Sequence, residues 1–279
     1  MQPDFLAVGH VVKDIVDGGW RAGGGVLYAA AQARALGLAT AVVTRYASDV
    51  EPKTLLPAVE WQVRPSEVTT SFHNTYVDGR RDQALPALAE PLSAEDIPLE
   101  WRRGAVIVLL APVFHDVDPA CGRAFTSPKR FLGLGAQGWL RKLEGDKIRP
   151  GTVEPQPAWL HGDAVFVSEE DLVDPEAVTI WRKRVPRVIL TRGVRGSTVW
   201  DAAGRLDLPA FATPELDATG AGDIFATAFM IRLHETGDNG EAARFASAAA
   251  ALAVNGVGIA AVANRAQIDA VLSRERVRA

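Results

Sequence analysis

The chain has 279 residues, 48% hydrophobic and 23% charged, the composition of an ordinary globular protein with room for one large core. Thirty Lys and Arg against 34 Asp and Glu leave a net charge of −4, and no basic run exceeds short pairs such as Arg80-Arg81, so nucleic acid is not an expected partner. The single Cys121 excludes an internal disulfide, Met1-Gln2-Pro3-Asp4 opens no signal peptide, and no stretch reaches the roughly 18 apolar residues of a membrane span, which predicts a cytoplasmic protein without membrane contact.

Residues 5–12 (FLAVGHVV) form an apolar run rich in β-branched side chains, the pattern of a strand buried on both faces, and it ends near Asp14. A carboxylate just past the C-terminal end of a central strand stands where open α/β sheets bind ligands, although strand-end loops also carry Asp with no such role. Asp17-Gly18-Gly19 reads as a turn, and Gly23-Gly24-Gly25 leads into a helix over 26–36 that Gly37 stops. Residues 39–46 are a second buried strand. From 59 to 88 the pattern changes to alternation, with Asp78-Gly79 as the turn of a hairpin between 68–77 and 81–88. An antiparallel pair stands outside a parallel core. His73 and Asn74 fall on opposite faces of its first strand, and either faces a ligand or plain solvent according to the register.

A proline-rich crossing at 86–98 contains Ser93-Ala94-Glu95-Asp96, a helix start, and 104–110 is the most hydrophobic strand of the chain. Another strand at 130–134 runs into Gly133-x-Gly135-x-x-Gly138, which satisfies the dinucleotide-binding fingerprint. The context argues against that reading, because Pro150, Pro155 and Pro157 interrupt the region where a full helix and second strand would have to follow. Residues 163–167 are a strand entering Ser168-Glu169-Glu170-Asp171, which fits either a magnesium-organising turn or a helix start that needs no metal. Thr191-x-Gly193-x-x-Gly196 is either a turn laid against a ligand or a plain hairpin turn into 197–200. The five histidines show no ligand spacing, so zinc is not expected. After residue 241 an alanine-rich helix is stopped at Asn255-Gly256-Val257-Gly258, and Asn264 stands near the last helix.

Between these lies Asp217-Ala218-Thr219-Gly220-Ala221-Gly222-Asp223, directly before an apolar, proline-free helix. Glycines at a helix N-terminus make an anion site, since free N–H groups and the helix dipole face the ligand. A carboxylate inside that cradle repels the same ligand, so Asp223 is explained by proton abstraction beside a moving phosphoryl group, or merely by the preference of Asp for helix N-termini. The heptapeptide resembles the D-T-x-G-A-G-D signature of the ribokinase-like carbohydrate kinases of the PfkB type, with Ala218 in place of the usual Thr.

That resemblance implies an α/β fold with a central, mostly parallel sheet, helices on both faces and a small β lid, the whole of 1–279 forming one kinase domain with lid strands near 14–21 and 59–88. It implies that Asp223 takes the acceptor proton and that the N–H groups of Gly220, Ala221 and Gly222 hold the transferred phosphoryl charge. Asp14, Gly24, Gly25, Asn74, Gln137 and Arg141 would meet the acceptor. Ser168, Thr191, Gly193, Gly196, Asn255 and Gly258 would border ATP, and Asp171 would serve magnesium. The pattern also admits a monovalent cation near Asp217 and a homodimer formed through the lid. The Asn common in the family after the paired glycines is absent, with Leu27, Tyr28 and Ala29 there instead. Together with Thr69-Thr70-Ser71-Phe72 and the segment from Gln137 to Arg141, this makes a polyol such as myo-inositol the leading acceptor. Other sugars and nucleosides remain alternatives, as does a sugar-binding protein that kept the fold and lost turnover.

Overall fold

The computed structural model describes residues 2–276 apart from 17, 78–79, 153 and 155–156; the expected hairpin turn at Asp78-Gly79 lies outside the described residues. In chain order the first elements are β1 (Phe5–Val8), β2 (Val12–Val16), β3 (Gly19–Gly23), α1 (Gly25–Ala35), β4 (Thr40–Tyr46), α2 (Pro52–Leu55), β5 (Glu60–Pro65), β6 (Ser71–Val77) and β7 (Arg80–Ala87). The middle of the chain supplies α3 (Leu99–Gly104), β8 (Ile107–Leu110), β9 (Phe131–Gly135), β10 (Arg141–Glu144), β11 (Lys147–Pro150), β12 (Ala164–Ser168), α4 (Glu176–Trp181) and β13 (Val188–Thr191). Then follow β14 (Ser197–Asp201), β15 (Gly204–Leu208), α5 (Ala221–Thr236), α6 (Asn239–Ala253) and α7 (Arg265–Arg276).

Nine of the described strands form one sheet in the order β15-β14-β13-β12-β9-β8-β1-β4-β5, parallel from β13 to β5 with β14 and β15 antiparallel at one edge. Its short central strands are apolar at every position because both faces are covered. Side chains alternate between two cores: Phe5, Ala7, Ile107 and Leu109 pack with α1, α5 and α6, whereas Leu6, Val8, Val108 and Leu110 pack with Trp101, Trp159 and Trp181. Alanines at 242, 243, 246 and 249 let α6 lie close on α5. A second sheet, in the order β10-β11-β7-β6-β2-β3, forms the lid. Its inner face closes a small core of Val12, Phe72, Val113, Phe114 and Ile148. No helix among the described residues is long and apolar enough to cross a membrane.

The mostly parallel sheet with helices on both faces follows the expectation, and four details differ from it. The apolar run 5–12 is not one strand. It stops at Val8, where Gly9 passes so close to the Ala111 carbonyl that a Cβ would sit 2.5 Å from its oxygen, and the chain then crosses into the lid. Asp14 therefore stands within lid strand β2 rather than beyond the end of a central strand. Residues 60–65 are not lid either, because β5 pairs in parallel with β4 as the edge of the main sheet, and an edge strand shows the same alternation as a lid strand. The lid gains instead the hairpin of β10 and β11, two four-residue charged strands with no legible period. Finally, no helix starts at 168–171: the Ser168 hydroxyl accepts from the Glu170 N–H in a turn, and α4 begins only after Pro175.

The glycines of the dinucleotide-like fingerprint have packing roles. A Cβ at Gly133 would strike the sulfur of Met230 on α5, one at Gly138 would fall 2.5 Å from the Pro112 carbonyl carbon, and β9 is followed by a single 3₁₀ turn at Gln137–Trp139.

Candidate active site

Parallel strands deliver their C-terminal ends to one edge of the sheet, and there the first turn of α5 meets the first turn of α1, which adjoins lid strand β3. Gly220 caps α5 in the left-handed region, at φ 78°, which turns the chain sharply from loop to helix. The turn is held by the Asp217 carboxylate, whose Oδ1 accepts from the Thr219 N–H at 2.9 Å. The Ala221 N–H donates back to the Ala218 carbonyl at 3.2 Å. Of the three N–H groups expected to hold a phosphoryl group, those of Gly220 and Gly222 are thus the ones without a backbone acceptor among the described residues, and the space beside Gly222 is open.

Asp223 is acidic in the first turn of α5, a favourable place for charge, yet burial pushes its carboxyl up to about 7; the Arg141 guanidinium pulls it down and Asp171 pushes it up. One of its oxygens lies against Gly25, where a Cβ would be only 2.6 Å away. Gly25 is therefore required for the room it leaves to Asp223. Gly24, at φ 97°, enters α1 with its Cα pressed on the His10 carbonyl. Gly23 serves Asp14 in the same way, since a Cβ there would overlap Asp14 Oδ2.

On the lid, Asp14 and Asn74 point inward together. Asn74 Nδ2 donates to Asp14 Oδ1 at 3.4 Å, and buried Gln83, not expected from sequence, donates to Asn74 Oδ1 at 2.8 Å. His73 faces out and is exposed. Arg21, also unforeseen, pairs with Asp14 across β2 and β3 and reaches Asp217 at 3.6 Å. Tyr28 is the third residue that sequence reasoning gave no role: its ring lies directly on Gly220. The signal was present in the spacing, as Tyr28 is three residues past Gly25 on the same helical face.

Gln137 and Arg141 converge on Asp171. Gln137 Nε2 donates to Asp171 Oδ2 at 3.0 Å, and buried Arg141 donates through Nε to Asp171 Oδ1 at 3.4 Å and through Nη1 to the Val113 carbonyl at 3.0 Å. Asp171, expected to serve a metal, thus has both oxygens engaged. Among the described residues no group of three or more His, Cys, Asp or Glu is placed to hold a metal ion. Asp116, fully buried, accepts from the N–H groups of Val113, Phe114 and His10 and so shapes the loop under Arg141.

Ser168 and Thr191, expected to border ATP, are register partners at adjacent strand ends, and the Glu169 N–H donates to the Thr191 carbonyl at 3.0 Å. Gly193 and Gly196 turn the chain from β13 into its antiparallel partner β14; Gly193 borders open space, whereas Gly196 packs on Leu208 and Pro209. Asn255 is exposed just after Val254, whose carbonyl accepts from the Leu216 and Asp217 N–H groups, which brings the end of α6 to the turn before α5. Gly258, at φ 62°, opens the following 3₁₀ turn. Asn264 is tied up locally: it exchanges hydrogen bonds with Gln267 as the cap of α7.

The family described as pfkB family carbohydrate kinase matches residues 163–265, the stretch that holds Ser168, Thr191, the glycine turn before α5 and Asp223. A curated relative, the bifunctional protein HldE of Azorhizobium caulinodans, is 40% identical over 88 residues, which is 31% of this chain and 18% of that protein. Among solved structures, a pyrophosphate-dependent kinase of the ribokinase family in a sulfate complex superposes with a TM-score of 0.80 at 24% identity, over 95% of this chain and 99% of that one. A structure of a pyrophosphate-dependent kinase of that family with a pyrophosphate analog and myo-inositol gives the same values. Arabidopsis thaliana ribokinase with ribose and ATP gives 0.72 at 23% identity, over 98% and 99%. These likenesses establish the ribokinase-like fold.

Proposed function

We propose that this chain, a carbohydrate kinase of the pfkB type on a ribokinase-like fold, transfers a phosphoryl group from magnesium-ATP to a hydroxyl of a small polyol or sugar, with myo-inositol as the leading acceptor. One observation carries the reading: a carboxylate whose pKa is raised to about 7 stands in the first turn of α5, beside two N–H groups without a backbone acceptor and open space at Gly222. A group poised near neutrality takes a proton at the pH where the cell works, and the N–H groups stabilise charge developing on the transferred phosphoryl oxygens.

Asp223 accepts the proton of the attacking hydroxyl, while Asp14, held by Asn74, orients the acceptor from the lid side. Arg141 adds positive charge close to Asp223 and is itself fixed by Asp171 and the Val113 carbonyl. The lid excludes water, which would otherwise compete with the acceptor. The donor set fits a magnesium ion bound mainly by phosphate oxygens and water, since Asp171 is already paired and such ions need only one or two protein carboxylates. Bound in that way, magnesium supplies neutralisation of the donor's phosphate charge.

The structural neighbours include ATP and pyrophosphate users and binders of ribose and of myo-inositol, so the test runs both donors. Product formation is measured with ATP and with pyrophosphate against a panel of polyols, sugars and nucleosides, for the native chain and Asp223→Asn. One donor and acceptor pair should give turnover that the substitution cuts by orders of magnitude. Acceptor binding without turnover under any donor would refute the kinase reading in favour of a sugar-binding protein.

A further inference from the structure

Tyr28 has no role in the site as described so far, yet its placement is that of a ligand contact. It is only 4% exposed, and its side chain makes no hydrogen bond to another described residue, yet its hydroxyl oxygen is not sealed off from solvent and is open to a partner from outside the chain. The ring is fixed, because Gly220, in its left-handed conformation, presents its Cα to Cγ and both Cδ atoms of Tyr28. Helical side chains lean toward the helix N-terminus, which for Tyr28 is the turn of Gly24 and Gly25, where the Asp223 carboxylate lies.

Asp223 lies against Gly25 and Asp14 against Gly23 at the start of the helix that carries Tyr28, and Arg21 reaches Asp217 at 3.6 Å in the turn that ends at Gly220. Burial raises the phenol's pKa, and the charges on Asp14, Asp217 and Asp223 raise it further against the opposing pull of Arg21. Three carboxylates, Asp14, Asp217 and Asp223, thus act on this region against the single guanidinium of Arg21, which already faces Asp217. Such a pocket offers hydrogen-bond acceptors and one neutral hydroxyl, and it repels anions.

We propose that the Tyr28 hydroxyl makes a direct hydrogen bond to the acceptor and so determines specificity, in a pocket that takes uncharged, hydroxyl-rich acceptors rather than ones already phosphorylated. The inference rests on the kinase reading above and deepens it. Because the same ring supports Gly220, the acceptor contact and the anion turn share one rigid side chain.

The test is Tyr28→Phe in the full chain, which keeps the ring on Gly220 and removes only the hydroxyl. Initial rates are measured with myo-inositol and ribose, and in parallel with ribose 5-phosphate; binding of myo-inositol and ribose is followed by calorimetry. The expected result is an acceptor KM and dissociation constant raised about 5- to 10-fold, the value of one neutral hydrogen bond, with kcat and donor KM changed less than about 3-fold. Ribose 5-phosphate should be used at least about 10-fold less efficiently than ribose by the native chain. An unchanged acceptor KM and affinity in the variant, or equal use of ribose and ribose 5-phosphate, overturns the proposal. Asp223→Asn separates the two levels. If that variant keeps full rate, Asp223 is not the base while the kinase reading stands, and the Tyr28 test proceeds on rates. If the native chain turns over no acceptor, the kinase reading falls, and binding alone then decides on Tyr28: weaker acceptor binding in the Phe variant supports the contact, and equal binding, or none by the native chain, removes it.

Discussion

Replacing Asp223 by Asn should move activity and stability in opposite directions. An Asp with an ordinary value of 3.8 when unfolded and about 7 when folded binds its proton more tightly in the native state. Between those values the unfolded chain is ionised while the folded one is not, so stability falls as pH rises, and the cost is complete above about pH 7 and absent below about pH 4. A difference of about three pH units corresponds to about 4 kcal/mol at most, and partial exposure of the side chain brings this to the order of 2–4 kcal/mol. An asparagine at this position carries no such cost, so Asp223→Asn should melt roughly 4–8 °C higher than the native chain at pH 8, with a smaller gain at pH 5. The same substitution should lower kcat/KM by about 10²- to 10⁴-fold, the ordinary contribution of a general base. In the native chain kcat/KM should rise about fivefold from pH 6 to pH 7 and level off above pH 8. Thermal melts at the two pH values and rates across the range test this together. A variant that is active, or that is no more stable at pH 8 than at pH 5 relative to the native chain, would refute the argument that Asp223 is held near neutrality for proton transfer.

The neighbours of Asp223 should shift that profile in opposite senses. Arg141→Met leaves Asp171 buried without its cation, which costs roughly 3–5 kcal/mol in denaturant melts, and moves the acid limb of the rate profile to higher pH. Asp171→Asn removes the charge that raises Asp223 and should move the same limb to lower pH. Gly25→Ala puts a methyl group where the Asp223 carboxylate rests, so kcat should fall at least about 10-fold with helix content by circular dichroism unchanged. Gly220→Ala forces a left-handed alanine onto the Tyr28 ring and should destabilise by roughly 2–4 kcal/mol in urea unfolding.

The main sheet was legible because its strands are buried on both faces and announce themselves as unbroken apolar runs, as in IVLL at β8 and AVFV in β12. The turn into α5 was legible because two glycines before an apolar, proline-free run bring no side chain to pack and mark the start of a buried helix. What escaped reading depends on contacts between residues far apart in sequence. Nothing local tells β5 from a lid strand, since both alternate; only its pairing with β4 does. The β10 and β11 hairpin is invisible for a different reason: four-residue strands such as RKLE carry no period long enough to count. Gln83 and Arg21 are ordinary polar residues until the register places them beside Asn74 and Asp14. Asp171 was read from its distance to Ser168, yet its surroundings are set by Arg141, thirty positions earlier.

Arg141 opens β10, a strand of the lid, and its guanidinium is anchored on Asp171, which follows β12 of the main sheet. Asp14 likewise stands in the lid, on β2, which three residues of connection join to β1. The lid is therefore not a detachable cassette. Grafting another relative's lid onto this sheet would also remove the cation that offsets the burial-driven rise of Asp223, so a chimera has to carry Arg141 with its partner Asp171 or alter the acidity of Asp223 along with the lid.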